Sequence, residues 1–140
     1  MNNPIYAKAK KHDDDFGLPK ENEMLPLMKK TFDETICKSK HHSVFDYEGV
    51  HCFAELKSRR VKHNQYLDTM IGTNKIDLAL RCGKEVFLCF HYTDGAYFYK
   101  FDKDDLENEN ITFRIGGRCD RGRDERKQYA YIKTKCLKRF

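Results

Sequence analysis

Apolar positions recur along this chain in two different rhythms. Between Glu21 and Phe32, Leu25, Met28 and Phe32 return at spacings of three and four, which puts one apolar stripe on a helix. With Asn22 or Glu23 as its cap, Pro26 falls near the first turn, where a missing N–H matters little. From residue 41 to Lys57 the rhythm becomes that of strands. Val44, Phe45, Tyr47, Val50, Cys52 and Phe53 favour extended backbone and Glu48-Gly49 offers a turn, so a β-hairpin is expected, its second strand ending at Lys57.

A basic link through Arg59, Arg60, Lys62 and His63 leads to a second helix. Thr73 is its expected N-cap, Ile76, Ala79 and Leu80 its inward residues, and Gly83 its stop. Two aromatic strands follow, Glu85 to Tyr92 and Ala96 to Phe101, with Thr93-Asp94-Gly95 as the turn of a hairpin. An acidic loop, Asp102 to Asn110, precedes a strand at Ile111 to Ile115. After a Gly/Arg/Asp-rich loop from Gly116 to Lys127, a last strand is expected over Gln128 to Lys135. Residues 1–16 have neither period and read as a flexible arm, leaving 17–140 as one α/β domain, the size its length allows.

Charge sharpens this picture. The total is +5, yet residues 111–140 alone carry +7, leaving −2 on the other 110. A localised anion-binding surface follows, for which nucleic acid is a natural partner. The six cysteines contain no Cys-x-x-Cys pair, and the six histidines stand without partners at ligand spacing, so a structural zinc site is disfavoured. Cys37, Cys52, Cys82 and Cys89 adjoin apolar runs and read as reduced core thiols of an intracellular protein. No window is apolar for long enough to suggest a membrane span or a secretory leader.

The stretch with chemistry is Phe45-Asp46-Tyr47-Glu48-Gly49-Val50-His51-Cys52-Phe53-Ala54-Glu55-Leu56-Lys57. Residues two apart on a strand share a face, so Glu55 and Lys57 project together and Leu56 turns away. Taken alone, such a pair also suits a solvated strand with a cross-strand ion pair, and Asp46 also suits a turn. The apolar neighbours Val50, Cys52, Phe53, Ala54 and Leu56 argue for a buried strand, where charged groups are retained to bind something. A two-residue turn at Glu48-Gly49 sets Asp46 opposite His51, so a bulge or wider loop is expected if Asp46 is to reach Glu55. Two carboxylates converging with no fixed positive partner invite a divalent cation, Mg²⁺ or Mn²⁺. Such an ion beside a lysine is the equipment for phosphodiester hydrolysis.

An acid, eight intervening residues and then Glu55-Leu56-Lys57 resembles the signature of the PD-(D/E)xK nuclease superfamily. Phe45 stands where that motif has proline. The resemblance covers roughly residues 17–135, and the chain is similar to small members from phages and large DNA viruses. It implies a restriction-endonuclease-like core, a mixed central sheet with an antiparallel meander flanked by helices, and metal-dependent DNA cleavage. Asp46, Glu55 and the Leu56 carbonyl would hold metal, and Lys57 would act on the attacking water. Glu23, with Glu21 as the other choice, would complete the acidic cluster from the first helix.

By the same likeness Lys75, in Thr69-Met70-Ile71-Gly72-Thr73-Asn74-Lys75-Ile76, would face the substrate phosphate, and Arg59 and Arg60 would bind backbone. Arg114, Arg118, Arg121 and Arg123 are further DNA contacts, as guanidinium groups suit phosphates. A homodimer or a larger nucleic-acid-processing complex is the expected assembly. Two other readings stand beside this one: a non-catalytic nucleic-acid-binding protein, such as a viral accessory factor, and a module whose basic tail docks an acidic protein.

Overall fold

Two adjacent parallel strands organise the chain. The computed structural model describes residues 22–40, 43–117 and 126–140. The expected arm, Glu21, Arg118, Arg121 and Arg123 lie outside these residues. Helix α1 covers residues 22–31. There follow β1 (Cys37–Lys38), β2 (Tyr47–Glu48), β3 (Cys52–Ser58), β4 (Asp68–Gly72), α2 (Thr73–Arg81), β5 (Glu85–Tyr92), β6 (Gly95–Lys100), α3 (Asp104–Glu107), β7 (Ile111–Gly116), β8 (Lys127–Lys133), a 3-10 turn (Thr134–Cys136) and β9 (Lys138–Arg139).

The larger sheet has the order β1-β2-β3-β5-β6-β9, and β4-β8-β7 form a smaller antiparallel one. β3 and β5 run parallel, Glu55 beside Leu88, while their neighbours are antiparallel. Parallel neighbours need a crossover connection, which β4 and α2 provide. β5 is buried on both faces and so reads as a nearly unbroken apolar run. Val86, Leu88, Phe90 and Tyr92 face a core shared with Ile71, Ile76, Ala79, Ile111 and Ile132, beneath α2 and the small sheet. Phe87 and Cys89 join Met24, Met28 and Ile36 in a second core beneath α1. The mixed sheet, its β1-β2-β3 meander and the flanking helices make a restriction-endonuclease-like α/β fold, the class the sequence implies.

Several local expectations are corrected. β4 and β9 are strands that the sequence pattern does not predict, and a turn of helix, α3, sits inside the acidic loop. Gly72, not Thr73, occupies the N-cap of α2, without a side-chain cap. Gly83 does close α2, at φ 72°, a left-handed conformation that glycine takes without strain. Leu80 is exposed while Ile76 and Ala79 are buried. Of the free cysteines, Cys52 and Cys89 are buried, Cys82 and Cys136 half-buried and Cys37 exposed. Among the described residues no helix is long and apolar enough to cross a membrane.

Candidate active site

The site begins with the register of one hairpin. Tyr47 pairs with Ala54 and Glu48 with Phe53, so Asp46, the next residue out, is level with Glu55. The Gly49 N–H donates to the Cys52 carbonyl at 2.8 Å, which leaves Val50 and His51 as the turn. The turn thus lies two residues beyond the expected Glu48-Gly49. No bulge is needed, and Val50 is an exposed turn residue instead of a buried strand residue.

What moves the turn is a contact from the α1–β1 connection. The Asp33 carboxylate accepts from the Thr35 N–H at 2.9 Å and the Thr35 hydroxyl at 2.7 Å, and its other oxygen accepts from the His51 N–H at 3.1 Å. The Val50 N–H donates to Thr35 Oγ1 at 2.8 Å. These bonds hold the Asp33 carboxyl below the usual aspartate pKa, the Thr35 hydroxyl being the largest influence. Gly49 allows the close approach, since a Cβ there would lie 2.8 Å from Asp33 Oδ2 and 3.1 Å from both Ile36 and Thr35. Gly49→Ala is therefore expected to lower stability by about 1–3 kcal/mol through overpacking, read as a shift of the urea midpoint.

Asp46 and Glu55 are tied through backbone amides. The Asp46 N–H donates to Glu55 Oε1 at 3.1 Å, and the Leu56 N–H donates to Asp46 Oδ2 at 3.2 Å. The N–H and carbonyl of one strand residue point the same way, so the Leu56 carbonyl is turned to the Asp46 side of β3. Burial, and next the charge of Glu55, push the Asp46 pKa up to about 6, against the opposing pull of the Leu56 amide.

Glu55 is 2% exposed, and its Oε2 lies 3.0 Å from Lys75 Nζ and 3.5 Å from Lys57 Nζ. The expectation of an acidic pair with no fixed positive partner is thus corrected for Glu55. Lys75 reaches it from the first turn of α2, also donates to the Val44 carbonyl and lies over the Phe45 ring. Its side chain is 13% exposed and that of Lys57 40%, so the two ammonium groups differ in environment. Removing one partner of a buried ion pair strands the other charge. Lys75→Met is expected to destabilise the protein by about 2–4 kcal/mol, with Glu55→Gln in the same chain restoring most of it, in a urea double-mutant cycle.

Other sequence-derived candidates fall elsewhere. Glu23 is exposed on α1, and among the described residues no group of three or more His, Cys, Asp or Glu converges, so Glu23 does not join the pair. Arg59 is half-buried: its guanidinium donates to the Met70 carbonyl at 2.6 Å and lies over Phe90, and burial lowers its pKa. It ties β3 to β4 and is not a freely projecting phosphate contact. Arg60 is exposed. Arg114 pairs with Asp68 at 3.0 Å and stacks on Tyr131, 3.5 Å from the ring centroid. Sequence reasoning missed Asp33 and Thr35, although Asp-x-Thr is a recognisable side-chain-to-backbone turn pattern.

The pair of carboxylates fits a hard divalent ion. The donors are all oxygen, and Mg²⁺ needs only one or two carboxylates because it keeps several waters. A carboxylate whose proton affinity is raised by its neighbour is one that gains from an added positive charge.

The mixed sheet and its flanking helices define the class as a restriction-endonuclease-like fold. The chain belongs to the family described as "phage putative PDDEXK endonuclease", whose model matches residues 27–138. The match includes Asp46, Glu55, Lys57 and Lys75 and leaves out Glu23. No curated protein and no solved structure matches the chain.

Proposed function

We propose that this protein hydrolyses DNA phosphodiester bonds with Mg²⁺ or Mn²⁺ at a site made by Asp46, Glu55 and Lys57. The observation that carries this reading is the alignment of Asp46 with Glu55 across the β2–β3 pair, with Lys57 on the same strand face. Asp46, Glu55 and the Leu56 carbonyl would hold the ion. When bound, it supplies a Lewis acid that polarises the phosphate and acidifies water. Lys57, the more exposed ammonium, orients the attacking water and offsets charge gathering on the phosphate. Lys75 holds Glu55 in place and brings positive charge to the same mouth. Arg60, Arg114 and the basic C-terminal third would bind the flanking backbone, an electrostatic contribution that falls steeply with salt.

One observation favours a second reading, a nucleic-acid-binding protein without turnover: Glu55 already has two lysine partners and is satisfied as a structural residue. Incubating plasmid and linear DNA with Mg²⁺, Mn²⁺ or EDTA separates the two. Cation-dependent cleavage is expected, and binding at low salt with no cleavage in any cation would establish the second reading instead.

A further inference from the structure

Beyond the catalytic pair, the C-terminal end of β3 opens into a cleft of about 370 Å³ between the two sheets. That lies within the range of roughly 300–1,000 Å³ typical of small-ligand sites. Its walls include Tyr66, Tyr92 and Tyr131, with Arg59, Arg60 and His63 at the same opening. Aromatic faces among cationic groups are the surroundings that unstacked nucleobases take on proteins.

Both walls lead to the catalytic residues. Arg59 follows Lys57 by two positions, just past the end of β3, and its N–H continues the ladder to the His91 carbonyl at 2.8 Å, so it is roughly 7 Å further along. Met70, on the other wall, lies on β4, which runs directly into the helix that bears Lys75. The Arg59 bond to the Met70 carbonyl fixes the two walls together.

The cleft is also preorganised. His63 is held by Asp94, which accepts from its backbone N–H at 2.9 Å and lies 2.6 Å from Nδ1, and the ring stacks on Tyr97 at 4.4 Å. Tyr92, 3% exposed, forms part of the buried floor of the cleft. The nearby Thr69 hydroxyl only partly offsets the effect of burial, which raises the phenol pKa.

We infer that this cleft binds one unstacked nucleobase of the DNA, next to the phosphate being cut, so that the preferred substrate has an unpaired nucleotide at that position. The inference rests on the nuclease reading for the identity of the polymer. Tyr66, exposed at the mouth, stacks on the base; Arg60 and His63 face the adjoining backbone.

Binding measured in EDTA by fluorescence anisotropy tests this without any hydrolysis. Three ligands of one sequence are compared: a perfect duplex, a duplex with one unpaired nucleotide, and the same duplex with that nucleotide abasic. The wild type is expected to bind the base-containing form about 5- to 100-fold more tightly than the abasic form, the range of base–aromatic stacking. Tyr66→Ala should bring that ratio close to one, and Tyr66→Phe, which keeps the ring, should preserve it. A ratio of one in the wild type, or a ratio that Tyr66→Ala leaves unchanged, overturns the inference. If plasmid is cleaved while the ratio is one, the cleft assignment fails and the nuclease reading stands. If the ratio is large and no DNA is ever cut, the cleft assignment holds and the hydrolytic one fails.

Discussion

Lys57→Ala is expected to slow single-turnover DNA cleavage by about 10²–10⁴-fold while changing stability by less than about 1 kcal/mol. The two halves of this expectation have separate physical grounds. In the proposed mechanism the rate falls because Lys57 would both orient the attacking water and oppose charge that exists only in the transition state. Stability hardly moves because Lys57 is 40% exposed and 3.5 Å from Glu55, whereas the more buried Lys75 remains at 3.0 Å from the same oxygen. A solvated member of an ion network contributes little to folding. Arginine at position 57 should not restore the rate, since a wide planar guanidinium does not take the place of a compact ammonium. Cleavage within tenfold of wild type in Lys57→Ala would remove Lys57 from the chemistry.

Asp46→Asn should do two opposite things: abolish cation-dependent cleavage and stabilise the cation-free protein at neutral pH. Folding raises the Asp46 pKa from 3.8 to about 6, through burial and the charge of Glu55. Ionised Asp46 is therefore disfavoured in the folded state. That penalty is fully present above about pH 6, diminishes as the pH falls through 6 and is gone below about 4. Allowing for the partial exposure of the side chain, it amounts to about 1–2 kcal/mol. In EDTA, urea unfolding at pH 8 should show the asparagine variant more stable by that amount, with the difference vanishing near pH 4. Excess Mg²⁺ should reverse the order at pH 8, because only the wild type gains stability from binding it. The same titration sets the acid limb of activity: cleavage should fall as the pH drops through about 6, where a proton competes with the ion for Asp46. An asparagine variant less stable than wild type at pH 8 in EDTA would show that Asp46 is not under strain from its neighbour.

The parts of the fold that could be read in advance are those set by local pattern. The aromatic run from Glu85 to Tyr92 and the turn after it have no plausible alternative to a hairpin, and β5 occupies the same residues in the structure. Glu55-Leu56-Lys57 was legible for the same reason, since alternation on β3 puts Leu56 in the core beneath α1 and Glu55 on the face towards α2. Asp46 was harder because its place depends on where the hairpin turns. That is decided by Asp33 and Thr35, which grip Val50 and His51 from 15 and 18 residues away in the chain. The local signal of Glu48-Gly49 pointed to the wrong turn, and Gly49 serves close packing against Asp33 instead.

Short strands were unreadable for a related reason. β4 gains its identity from pairing with β8, Met70 against Tyr131, and β9 from pairing with β6, Phe98 against Lys138. β9, with two residues, is too short for a period to show. Arg59 looked like one more member of a basic run until the fold set its guanidinium against the Met70 carbonyl. Lys75 shows the opposite case: the family likeness led to it, and α2 brings it to Glu55.

The central claim is that Asp46 and Glu55 together hold one catalytic ion. Anomalous diffraction from crystals of the intact protein soaked in Mn²⁺ tests it most directly. The account predicts a single strong peak between the Asp46 and Glu55 carboxylates and within coordinating distance of the Leu56 carbonyl, about 2.0–2.3 Å from the ligating oxygens. A Mn²⁺ peak elsewhere with none at this pair, in protein that cleaves DNA in the same cation, would contradict it.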